Sequence, residues 1–156
     1  MMYTPLKKTQ LAAMILAFAL SAMIGPSQVQ AAPGVVVQES SRNFDQTILK
    51  LKQGISANML VLLKDFNHQT MLKMVGVHAD KSMVLEVFHP RYGKVIYAND
   101  KSAFIVPPLR IMVQEDGGKV MVYYEKASLL LAPYKGLSDL GKDLDAMLAN
   151  IVNGVI

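Results

Sequence analysis

The chain has 156 residues, no cysteine and a formal net charge of +4, and 52% of its residues are apolar. Without cysteine, thiol catalysis, Cys-ligated zinc, iron–sulfur clusters and covalent c-type haem are excluded. Lys7 and Lys8 belong to a removable leader; without them fourteen basic residues face twelve acidic ones, no basic run remains, and no nucleic-acid partner is expected.

The leader is read from three features. Lys7 and Lys8 form a basic start with no acid before Glu39. From Leu11 to Ile24 every residue except Ser21 is apolar, a run short of the ~20 residues a membrane span needs. Gly25-Pro26 then breaks the helix, and Val29-Gln30-Ala31 places small residues where a signal peptidase cuts, with Ala32 as the alternative end. Residues 1–31 are therefore expected to be a cleaved signal peptide. Residues 32–156 are expected to form a single periplasmic or secreted domain, with no membrane association after cleavage. About 125 residues suit one core.

Val35 to Ser40 is β-branched and reads as the first strand. Asn43 followed by Gln46 opens a helix, along which Phe44, Ile48, Leu51, Ile55 and Met59 make one apolar stripe. Leu60 to Leu63 is apolar throughout and is predicted to be a central strand. His68 to Val75 gives two helical turns stopped by Gly76, and Ser82 to Phe88 a third strand ended by His89-Pro90. A short helix is expected over Tyr92–Asn99, and Pro107-Pro108 leads extended chain into the next strand.

The clearest local signal is a hairpin. Leu109, Ile111 and Val113 alternate with Arg110, Met112 and Gln114; Glu115-Asp116-Gly117-Gly118 turns; Val120, Val122 and Tyr124 then alternate with Met121 and Tyr123. Met112 and Met121 are expected to pair across it. Leu137, Leu140, Leu144, Met147, Leu148, Ile151 and Val152 define a closing amphipathic helix begun near Ser138-Asp139.

The order of these pieces resembles the domain of unknown function 302 family. The anchors are Asn43-Phe44-Asp45-Gln46-Thr47, Leu51-Lys52, His89-Pro90-Arg91, Pro108-Leu109-Arg110, Val113-Gln114-Glu115-Asp116 and Tyr124, over about Val35 to Asn150. The resemblance implies an α+β fold, a TATA-binding-protein-like curved antiparallel sheet packed against two long helices, often dimeric. That fold's name carries no DNA-binding function. His89-Pro90 stands where the family commonly has Asn-Pro, and Lys126-Ala127 where it commonly has Asp-Pro. His68 falls where many members also place a histidine, and the family supplies no catalytic residue.

Chemistry rests on few side chains. His68, His78 and His89 are the three histidines available for proton transfer or imidazole ligation near neutral pH. His68, Met71 and Met74 follow at helical spacing and combine imidazole with thioethers, a donor set for Cu(I) or, as a His/Met pair, for haem. The competing reading is packing, because methionine at helical spacing commonly fills core gaps. An enzyme would use His68 or His89 as base, assisted by Glu86, Tyr97 or Tyr123. No nucleophile elbow, phosphate loop, dinucleotide fingerprint or His-Glu-x-x-His motif is present. Ser82 lies four residues after His78, a spacing that makes no motif.

The sequence thus favours a non-enzymatic exported domain that needs no cofactor. It is expected to bind a small apolar ligand or a partner protein, with His68, His89, Arg110 and Tyr123 as candidate binding residues. Self-association as a homodimer is expected from the face of Met112, Met121 and Tyr123 and from the apolar stripe of the closing helix.

Overall fold

A computed structural model describes residues 31–156; the expected signal peptide, but for its last residue, lies outside the described residues. Strands β1 (Val35–Glu39), β2 (Val61–Asn67), β3 (Ser82–Phe88), β4 (Leu109–Asp116) and β5 (Lys119–Glu125) form one sheet in the order β1-β5-β4-β3-β2. Every neighbouring pair is antiparallel. The helices are α1 (Phe44–Ala57), α2 (His68–Met74), α3 (Pro90–Asn99), α4 (Ala127–Leu131) and α5 (Ser138–Asn153), with a 3-10 turn over Lys101–Ile105. The architecture is α+β, an antiparallel sheet under two long helices. Among the described residues no helix is long and apolar enough to cross a membrane.

The period-two alternation decides which sheet face is buried. Leu85 and Val87, Leu109, Ile111 and Val113, and Val120, Val122 and Tyr124 point to one side and are buried there. Against them α1 lays Phe44, Ile48, Leu51 and Ile55, and α5 lays Leu140, Leu144, Leu148, Ile151 and Val152. Asn43 caps α1 as its spacing predicts: its Oδ1 accepts the Gln46 N–H at 2.9 Å. The β4–β5 turn is the two-residue Gly117-Gly118 with φ +57° and +82°, a left-handed conformation that favours glycine.

A buried polar knot closes the domain. Ser40 Oγ lies 2.8 Å from Thr47 Oγ1 and donates to the Val155 carbonyl at 2.8 Å, while Thr47 Oγ1 donates to the Asn43 carbonyl at 2.9 Å. The end of β1, the first turn of α1 and the C-terminus are thereby tied by groups that burial obliges to pair.

Four expectations change. The run Leu60–Leu63 is not a central strand: β2 starts at Val61, continues to Asn67 and lies at the sheet edge beside β3 alone. Edge strands tolerate charge, and Lys52 of α1 pairs with Asp65 of β2 at 2.6 Å. That lysine's hydrogen bond holds the Asp65 carboxyl below its ordinary pKa. Met59 leaves the α1 stripe, because the helix has ended and Met59 takes φ +60° with 61% of its surface exposed. Met112 faces Tyr123 across the hairpin and Met121 faces Gln114, so the two methionines share a face without being opposite. The apolar stripe of α5 is covered within the chain itself, so of the two features behind the expected self-association only the sheet face remains.

Candidate functional site

The second sheet face carries Val37, Val84, Phe66, Met112, Met121 and Tyr123, all half-buried, among exposed Arg110 and Glu125. Burial raises the Tyr123 hydroxyl above the ordinary tyrosine pKa, with the charge of Asp116 adding to the effect, which keeps it neutral at physiological pH. Arg110 pairs with Glu125 at 3.5 Å across the hairpin.

Helix α2 crosses one end of this face, and local chemistry fixes where it stands. Asn67, the last residue of β2, caps it by accepting the Thr70 N–H at 3.0 Å. Gly76, at φ +81°, ends it, and Gln69 Nε2 donates to the Ala79 carbonyl at 3.0 Å to hold the returning loop. The β2–β3 register pairs Asn67 with Met83, so the next residues, His68 and Ser82, meet. His68 Nδ1 lies 3.1 Å from Ser82 Oγ.

Beneath α2 runs a groove of about 430 Å³. It is lined by His68, Met71 and Leu72 of α2, by Met112 and Gln114 of β4, and by Ala79, Asp80 and Ser82. Its walls are mainly apolar with a few convergent polar groups, the usual make-up of a small-molecule site. No residue of α2 is buried in the core, so Met71 (48% exposed) and Met74 (82% exposed) are not gap-filling packing.

The four residues singled out as ligand-binding divide unequally. His68 lines the groove; Tyr123 stands opposite Met112, and Arg110 lies two residues from Met112 on the same face. His89 is elsewhere. It caps α3, its Nδ1 accepting the Arg91 N–H at 3.0 Å, and its ring meets Tyr92 edge-on at 5.8 Å. His68 and His89 stand at opposite ends of the seven-residue β3, roughly 20 Å apart at strand rise, so they cannot serve one site. His89 borders instead an apolar cavity of about 20 Å³ between the sheet and the helices.

Of the trio His68, Met71 and Met74, the first two share the groove while Met74 points away; Met112 takes its place. Among the described residues no three His, Asp or Glu side chains gather to hold a metal ion. Glu86 faces Lys64 and Arg110 in the strand register on the second face, well away from either histidine's partners. Tyr97 lies on the exposed side of α3 under the Lys101 ammonium, 4.4 Å from its ring centre. Neither Glu86 nor Tyr97 is a hydrogen-bond partner of His68 or His89, whereas Tyr123 stands opposite the groove-lining Met112. Ser82, whose spacing from His78 makes no motif, pairs with His68, and the β2–β3 register was the signal that could have found it.

A five-stranded antiparallel sheet with its long helices on one side and a groove on the other defines an open-faced α+β domain. Residues 36–155 match the family described as Domain of unknown function DUF302, and the chain belongs to that family. Its fold is similar to that in the crystal structure of an uncharacterized conserved DUF302 protein from Bacillus stearothermophilus. That likeness has a TM-score of 0.73 at 18% identity and covers 80% of this chain and all of the other. No curated protein matches the chain.

Proposed function

We propose that this DUF302 protein is an exported binding domain that takes a small, mainly apolar ligand in the groove under α2. The observation that carries the reading is the groove itself: about 430 Å³, lined by the apolar Met71, Leu72 and Met112, with His68, Ser82 and Gln114 at hand for one polar group. Methionine suits such a surface because its flexible thioether adapts to ligand shape. The leader read in residues 1–31 supplies the destination. Intact-mass measurement of protein recovered from the periplasm or medium should give a chain starting at Ala32 or Pro33, and a full-length mass in the membrane fraction would refute export.

The neutral dye Nile red tests the groove. Its fluorescence should rise saturably with the protein, and Met112→Asp, which places a charge in the groove lining, should weaken binding by roughly tenfold or more. Met59→Asp, on an exposed turn outside the groove, should leave it unchanged. Equal loss in both variants, or no saturable binding, would overturn the reading.

A further inference from the structure

We propose that the same groove holds a monovalent soft metal ion, Cu(I) or Ag(I), on His68, Met71 and Met112. Two of these residues were adjacent candidates in the sequence; the third arrives from β4, forty-four positions beyond His68, and only the fold brings it there. The donors are one imidazole nitrogen and two thioether sulfurs, neutral and polarisable, a set that favours a soft d10 cation over Zn²⁺ or harder ions.

The geometry at His68 prepares the ring for ligation. Its Nδ1 lies 3.1 Å from Ser82 Oγ; in the Nδ1–H tautomer it donates to that oxygen and leaves Nε2 free to ligate. A hydrogen bond to the non-ligating nitrogen is the usual second support of a metal-bound histidine. Met71 sits one helical turn after His68 and is 48% exposed, so its sulfur is not consumed by core packing and can swing toward the ion. Asp80 in the groove lining supplies a carboxylate that offsets the charge of the bound cation.

The chemistry also suits the destination. In an oxidising compartment paired thiols become disulfides, a reaction not open to thioethers, and residues 32–156 carry seven methionines and no cysteine. The proposal goes beyond apolar-ligand binding, because it depends on sulfur and nitrogen donors rather than on apolar area.

Silver(I), which needs no reductant, is the probe. Calorimetric titration of the purified protein with silver nitrate in chloride-free buffer should show uptake of one ion per chain. His68→Ala, Met71→Leu and Met112→Leu should each weaken it by about tenfold or more, while Met74→Leu, outside the groove, should leave it unchanged. Zn²⁺ in equal amount should not displace silver. Absence of one-to-one uptake, wild-type affinity in Met112→Leu, or equal loss in Met74→Leu would overturn the proposal. Leucine keeps the apolar volume of methionine, so Met112→Leu should still bind Nile red. Loss of silver with retained dye would then place the sulfur at the site. Silver binding without any dye binding would leave the metal site standing and the apolar-ligand reading refuted.

Discussion

Gly141→Ala should lower the unfolding free energy by about 1–3 kcal/mol, although it replaces a glycine inside a helix. In an exposed helix the same exchange gains roughly 1 kcal/mol, because alanine loses less backbone freedom on folding. Here a Cβ at position 141 would stand 2.6 Å from the Ser128 Cα and 3.2 Å from its nitrogen, so backbone rather than a flexible side chain would have to move. That backbone is anchored. Ser128 N–H donates to Asp145 Oδ1 at 3.2 Å, its hydroxyl bonds the other Asp145 oxygen, and Ala127 beside it is fully buried. Displacing α4 therefore strains an overpacked contact and loosens the bonds that hold α4 on α5. Gly54→Ala is the comparison: its Cβ would meet the Ile151 Cγ2 methyl at 3.3 Å, and it should stay within about 1 kcal/mol of the parent. Urea unfolding with an unchanged slope separates the two. A Gly141→Ala protein as stable as the parent would show that α4 shifts freely.

Elements were legible where one strong local rule governed them. Asn43 and Gln46 mark the start of α1, the Gly117-Gly118 turn sits between two alternating strands, and β3 spans Ser82 to Phe88 as read. Helix α4 left no signal, because five residues give little more than one turn and its Leu129 is 56% exposed. Its place is set by Gly141 instead, through a tertiary contact that no periodicity records. The site was half legible for the same reason. His68 and Met71 are neighbours along a helix, but the companion role of Met112 depends on α2 lying across β4, and that of Ser82 on the β2–β3 register. Met74 was drawn into the set by its three-residue spacing from Met71, but position six after His68 lies about 120° around the helix from it, and the residue faces solvent.

Within the apolar run Leu60-Val61-Leu62-Leu63, Leu60→Ala should cost about 2–5 kcal/mol and Leu63→Ala less than about 0.5 kcal/mol. Composition cannot distinguish these two leucines, and a central strand would bury both. The sheet order decides otherwise. Leu60 precedes the edge strand, is 6% exposed and lines the apolar cavity of about 20 Å³ with Val87, Leu109, Leu131 and Leu144. Removing its isobutyl end enlarges a void that already exists, and the surrounding β3, β4, α4 and α5 residues are too well packed to collapse into it. The cost is the lost transfer free energy plus the cavity term. Leu63 sits in the register break between Leu62 and Lys64, where an extra residue is pushed out of the β2–β3 ladder, and it is 52% exposed. Truncating it removes little buried area. Midpoints of urea unfolding for the two variants would check the pair. Comparable losses at both positions would mean that Leu63 is covered in solution, as it would be by a second chain pairing along the edge of β2.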